Sequence, residues 1–154
     1  MYTGLRIKVT VKEEYRAMIS AINGGAAWKD YSEQFPILAA YASLEAAEYI
    51  PRGTLSYMPE SWTSNVATEG FERSINMDTG NWSFQCSLKN IEGEIQLFFS
   101  EVLPNIISDA EHIEYRYEES SKSQYYDFVD GTIKRREVLD SEETEYSYQG
   151  GWGI

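Results

Sequence analysis

Apolar residues recur at every second position in several separate stretches of this chain, and between those stretches the period lengthens to that of a helix. Leu5, Ile7, Val9 and Val11 share one side of an extended segment, while Arg6, Lys8 and Thr10 share the other. Side chains of a strand alternate between its two faces, so this is a half-buried strand. Tyr15, Met18, Ile19 and Ile22 then fall at i, i+3, i+4 and i+7, a single helical stripe. Glu13 and Glu14 lie in its first turn, where the helix dipole favours acids, and Asn23-Gly24-Gly25 supplies a left-handed stop. Further on, Phe71, Arg73, Ile75 and Met77 alternate with Glu72, Ser74 and Asn76. Asp78-Thr79-Gly80-Asn81 is turn chemistry, and Trp82, Phe84, Cys86 and Leu88 alternate after it, which predicts a β-hairpin with a four-residue loop.

Asn90 is placed to cap a helix striped by Ile91, Ile95, Phe98 and Val102 and widened by Phe99 and Leu103. Pro104 should end or bend it. In 112–118, Ile113, Tyr115 and Tyr117 point to the core, while His112, Glu114, Arg116 and Glu118 point out. Residues 124–129 lead through the tight-turn pair Asp130-Gly131 into a partner strand from Thr132 to Val138. Thr144, Tyr146 and Tyr148 alternate once more, and 149–154 read as a loose tail. The stretch from Ala26 to Ser64 is less periodic. Residues Ile37 to Tyr49 are rich in Ala and Leu and read as helix, and Arg52 to Met58 read as a short edge strand or an ordered loop.

The order β-α-(α)-β-β-α-β followed by a hairpin predicts an α+β fold. It is a ferredoxin-like split βαβ antiparallel sheet, with two main helices on one face and an extra C-terminal hairpin. The absence of a linker or repeat makes 1–148 one domain. Trp82-Ser83-Phe84, then a helix, then a Tyr- and Glu-rich strand pair resembles the small plasmid- and phage-borne ferredoxin-like domains of the YubB type, over residues 69–138. The resemblance implies a fold and carries no catalytic residue across.

Side-chain chemistry narrows the functions available. Cys86 is the one cysteine and His112 the one histidine, so a disulfide framework and the usual N/S zinc or iron sites are excluded. Any nucleophile–imidazole mechanism would have to use His112, whose position on the polar side of a strand predicts a solvated ring. Cys86 falls on the inward face beside Trp82 and Phe84, where a thiol behaves as a small hydrophobe. Asp127, Asp130 and the run Asp140, Glu142, Glu143 and Glu145 lack the ligand spacing and central glycine of a calcium loop. Gly24-Gly25 follows a helix and lacks the lysine of a phosphate loop. No cofactor, metal or catalytic set is expected, and the chain is read as non-enzymatic.

Charge is distributed unevenly within a total of −12. Residues 1–75 carry 7 basic and 9 acidic side chains, and residues 76–154 carry 6 and 16. A field of that sign repels nucleic acid and anionic lipid and attracts a basic protein. No apolar run reaches the roughly 18 residues that span a bilayer. The start lacks the apolar block of a secretion signal, so a cytoplasmic protein is expected.

One constellation stands out. Tyr115, Tyr117, Tyr125, Tyr126, Tyr146 and Tyr148 are interleaved with Glu114, Glu118, Glu119, Asp127 and Glu145. Aromatic anchors rimmed by acids suit a basic protein partner. The leading expectation is therefore an acidic binding or inhibitory protein of the immunity-protein or phage-inhibitor kind, with nucleic-acid mimicry and self-association both left open. The alternative is a small-molecule binder or an enzyme of unfamiliar type, with a pocket under the 26–64 segment lined by Trp28, Tyr57 and Trp62.

Overall fold

A computed structural model of the chain describes residues 1–63 and 70–137. Its strands are β1 (Tyr2–Val11), β2 (Ser74–Ile75), β3 (Asn81–Lys89), β4 (Ile107–Tyr117), β5 (Gln124–Val129) and β6 (Thr132–Arg135). They form one antiparallel sheet in the order β2-β3-β1-β4-β5-β6. The fold is thus α+β, with six strands among the described residues and β1 and β4 near the centre of the sheet. Leu5 lies opposite Cys86 on one side and Tyr115 on the other, and Ile7 lies opposite Phe84 and Ile113. The period-two pattern of each strand therefore lands on one common apolar face. Register shifts after Lys8 and after Thr10 bring β4 into pairing from Ile107, five residues earlier than its own alternation predicts.

That apolar face belongs to a single buried cluster. It joins Leu5, Ile7, Val9 and Val11 to Met18, Ile19 and Ile22 of helix α1 (Arg16–Asn23), and to Ile95, Phe98, Val102 and Leu103 of the helical run 94–106. Residues Phe98–Val102 of that run form a π turn immediately before Pro104. A proline has no N–H to give and its ring crowds the carbonyl four residues back, so the ladder widens at this point instead of stopping. Ile91, expected on the helix stripe, is 67% exposed, because the helix begins three residues later at Glu94. Asn90 still acts at its start, accepting a bond from the Ile95 N–H (2.9 Å).

The segment 26–52 does not form the helix expected over 37–49. It makes short turns, Pro36–Leu38, Ala39–Ala42 and Tyr49–Arg52. Two lateral bonds tie the turns together. The Trp28 indole donates to the Ile50 carbonyl (2.7 Å), and the Tyr41 hydroxyl donates to the Ala47 carbonyl (2.6 Å). The Ala47 carbonyl also accepts from the Ile50 N–H at 3.3 Å, the i to i+3 spacing of a tight turn, and Pro51 has no N–H to continue an i+4 ladder from it. Trp28, Tyr41 and Phe98 pack edge to face or tilted, with ring centroids 5.5–5.9 Å apart.

The second face of the sheet is only partly covered. Segment 53–63 crosses β3 and β1 and lays Met58 and Trp62 over Gly4, where an added Cβ would meet Met58 at 2.7 Å and Trp62 at 2.8 Å. The hairpin strand expected from Phe71 to Met77 shrinks to the two residues of β2. Phe71, expected in the core, lies on this second face instead, with the Lys8 ammonium 4.5 Å from its ring and His112 at 5.0 Å.

Candidate functional site

Beside the 53–63 cover, the second face of the sheet opens into a cleft of about 500 Å³. Its floor, Arg6, Glu114 and Tyr125, belongs to a row of side chains that cross-strand pairing sets side by side. Gln85 of β3, Arg6 of β1, Glu114 of β4 and Tyr125 of β5 stand in line. Arg136 follows, its N–H bonded to the Tyr125 carbonyl. Ser61 and Trp62 form one wall, and the loop carrying Ser121, Lys122 and Ser123 forms the other.

Each arginine of the row is backed by an aromatic ring. The Arg6 guanidinium stacks 4.0 Å from the Trp62 ring, and Arg136 lies 5.5 Å from the Tyr125 ring. Such stacking fixes the plane of a guanidinium and leaves its edge for hydrogen bonding. Arg6 donates to Gln85 Oε1 (3.2 Å) and to the Ser61 carbonyl (3.3 Å). Arg136 forms a fork with Asp127, closest at 2.8 Å, and Arg116 donates to the Ser120 carbonyl at 3.1 Å.

Glu114 is the buried acid of the floor, 5% exposed. Its Oε1 lies 2.7 Å from His112 Nε2, and its Oε2 accepts from the Ser123 hydroxyl at 2.5 Å. Burial works against its charge. The hydrogen bonds from His112 and Ser123, with the nearby charges of His112 and Arg6, outweigh that and hold its carboxyl below the usual range. The order hydroxyl–carboxylate–imidazole differs from the hydroxyl–imidazole–carboxylate order that activates a serine, since here the carboxylate separates the other two. A carboxyl held low is also a weak proton acceptor at neutral pH. The trio is suited to fixing the floor rather than to moving protons.

The expected tyrosine–acid surface is divided by this geometry. Tyr115 and Tyr126 are buried on the helix-bearing face, where Tyr126 packs on Phe99 at 4.9 Å, and burial pushes the Tyr115 hydroxyl up to about 12. Glu114 and Tyr125 stand on the opposite face, so alternation along β4 and β5 separates residues that are neighbours in sequence. Glu118 accepts a bond from the Tyr2 N–H, Tyr117 is half-buried, Glu119 is exposed, and Asp127 is held by Arg136. Glu145, Tyr146 and Tyr148 lie outside the described residues.

The alternative pocket also separates. Trp28 is buried in the core, Trp62 covers the other face, and Tyr57 is 60% exposed and stacked on Tyr2 at 4.4 Å. Of the three, Trp62 lines the cleft. His112, expected to be solvated, is half-buried between Phe71 and Tyr125. Arg6, Arg116 and Ser123 are residues the sequence reading passed over. Their signal was the polar phase of three strands read together: Arg6 and Lys8, then His112, Glu114 and Arg116, then Ser123 and Tyr125.

Cys86 is fully buried, and burial pushes its thiol well above the ordinary value. Among the described residues no three His, Cys, Asp or Glu side chains come together to hold a metal ion, and no helix is long and apolar enough to cross a membrane. Comparison with known proteins returns no family model, no curated protein and no solved structure that matches this chain.

Proposed function

We propose that this chain is a non-enzymatic binding protein whose recognition site is the cleft on the second face of the sheet. The observation that carries this reading is the built floor of the cleft. Glu114 is buried with both oxygens engaged, beside an arginine stacked on Trp62. A concave site of this volume with a few fixed polar groups is what small-ligand recognition requires. The coarse architecture fits a split βαβ core: β4-β1-β3-β2 is the ferredoxin-like strand order, to which β5 and β6 add a hairpin at the β4 edge. On that reading the likeness to YubB-type domains is one of fold.

The test is thermal unfolding in the presence of cationic, neutral and anionic small molecules. A ligand at about 100 times its Kd stabilises by about 2.7 kcal/mol, several degrees for a chain of this size. Such a shift should be seen for the wild type and be lost in Tyr125→Ala. No shift from any class would remove the cleft from consideration.

A second reading is favoured by the charge of −12 alone. It is an inhibitory or immunity protein that engages a basic protein surface. It draws on exposed acids such as Glu119 and Glu137 instead of the buried Glu114. Capture of one basic protein from lysate at low salt, released at high salt, supports it, and an empty capture at both salts counts against it.

A further inference from the structure

We propose that the ligand of the sheet-face cleft is a small dianion of the phosphate monoester type, an inference that rests on the cleft being a binding site. In a chain of charge −12, the cleft lining among the described residues carries four cations, Arg6, Arg116, Lys122 and Arg136, against the carboxylates Glu114 and Glu137, with Asp127 paired to Arg136 beside it. The local balance is therefore opposite in sign to that of the whole molecule. Glu114 offsets part of this charge, chiefly that of Arg6 beside it, while its oxygens are turned to His112 and Ser123. Glu137 is on the exposed rim.

Guanidinium groups fit tetrahedral oxyanions through paired N–H donors, and those backed by a ring lose little freedom on binding. Among the described residues, Arg6 donates through Nε and Nη2 and Arg116 through Nε. The remaining N–H groups are the donors that would take the phosphate oxygens. Trp62 and the 121–123 loop flank an open cleft of about 500 Å³, within the size range of small-ligand sites.

The same field argues against a long polyanion. Charges are screened beyond about 10 Å at 0.1 M salt, so a single phosphate in the cleft responds mainly to the cations around it. A nucleic-acid backbone extending past the rim would approach exposed Glu60, Glu119 and Glu137.

The test is calorimetric titration of the full chain with inorganic phosphate, adenosine 5′-monophosphate, adenosine and a short single-stranded oligonucleotide. Phosphate and the monophosphate should bind saturably and adenosine should not. Arg6→Gln and Arg116→Gln should each weaken binding about tenfold or more. Arg6 packs against Trp62, so Lys122→Gln and Arg136→Gln, both exposed, provide a readout independent of folding, with losses expected in both. Lys29→Gln, an exposed cation elsewhere, should leave affinity unchanged. Equal losses in Lys29→Gln and the cleft variants would overturn the site as non-specific attraction. Tighter binding of the oligonucleotide than of the monophosphate would overturn the small-ligand class. Binding of a cationic or neutral compound that Tyr125→Ala abolishes, with none of phosphate, would overturn the anion and leave the cleft as the site. Absence of all ligand binding would overturn both.

Discussion

At the scale of single residues, Glu114 is the side chain on which the second face of the sheet depends. Taking an acid to 5% exposure is tolerated because His112 and Ser123 satisfy its two oxygens. Its folded-state carboxyl is held below the ordinary 4.5, so the stability it contributes is present above that pH and is lost as pH falls through the lowered value. Urea unfolding of the wild type and of Glu114→Gln between pH 7 and pH 3 should therefore converge towards acid. At pH 7 the variant should be less stable by about 1–3 kcal/mol, the cost of disrupting a buried charged network. A constant gap across the range would show that the carboxyl does not titrate as the geometry requires. Arg6 plays the complementary part. It is held between Gln85, the Ser61 carbonyl and the Trp62 ring, and burial lowers its pKa while Glu114 and Tyr125 work the other way.

At the scale of elements, the exposed edge of β3 is the hazard that the fold manages. β2 pairs with it at Ser83 and Trp82, and among the described residues the stretch towards Lys89 has no strand partner on that side. An open edge of that kind invites pairing with another chain. Here the 49–54 segment lies against it: the Ser87 hydroxyl donates to the Thr54 carbonyl, and Gly53 sits so close that an added Cβ would overlap the Ser87 carbonyl oxygen. Gly53 has extended backbone angles (φ −60°, ψ 145°) that any residue can adopt, so its requirement is one of space alone. Gly53→Ala should cost about 1–3 kcal/mol in urea unfolding. It should also speed hydrogen exchange at the Gln85–Lys89 amides while those of β4 stay slow. Unchanged exchange at that edge would mean the segment is not what covers it. Arg16 performs a similar clasp at the hairpin loop, donating to the carbonyls of Val11, Met77, Asp78 and Thr79.

At the scale of the whole molecule, charge and fold pull in opposite directions. A net −12 on a small domain repels itself, while ion pairs such as Lys8–Glu111, Arg52–Glu48 and Arg136–Asp127 are partly exposed. Screening should therefore stabilise the protein. The melting temperature is expected to rise by a few degrees between 10 mM and about 300 mM sodium chloride. A fall would show that attractive pairs dominate. The same screening should weaken occupancy of the cleft by an anion, so stability and binding are expected to respond to salt with opposite signs.

Local periodicity by itself determined the inward faces of β1 and β3 and of Ile113 and Tyr115 in β4, the helical stripe of Met18, Ile19 and Ile22, the tight turn at Asp130-Gly131 and the burial of Cys86. These follow from side-chain alternation and turn chemistry within a few neighbouring residues. Only tertiary structure decided the rest. The run 37–49 reads as helix locally, yet it breaks into short turns, bridged by the bond from Tyr41 to the Ala47 carbonyl and followed by the bond from Trp28 to the Ile50 carbonyl. Tyr125 and Tyr126 look like one surface in the chain, yet the pleat sends them to opposite faces. The cleft exists because sheet order places Arg6 of β1 beside Glu114 of β4, more than a hundred residues later, and because 53–63 folds back over Gly4. Alternation is a property of neighbours along the chain, whereas a binding site is a property of neighbours across it.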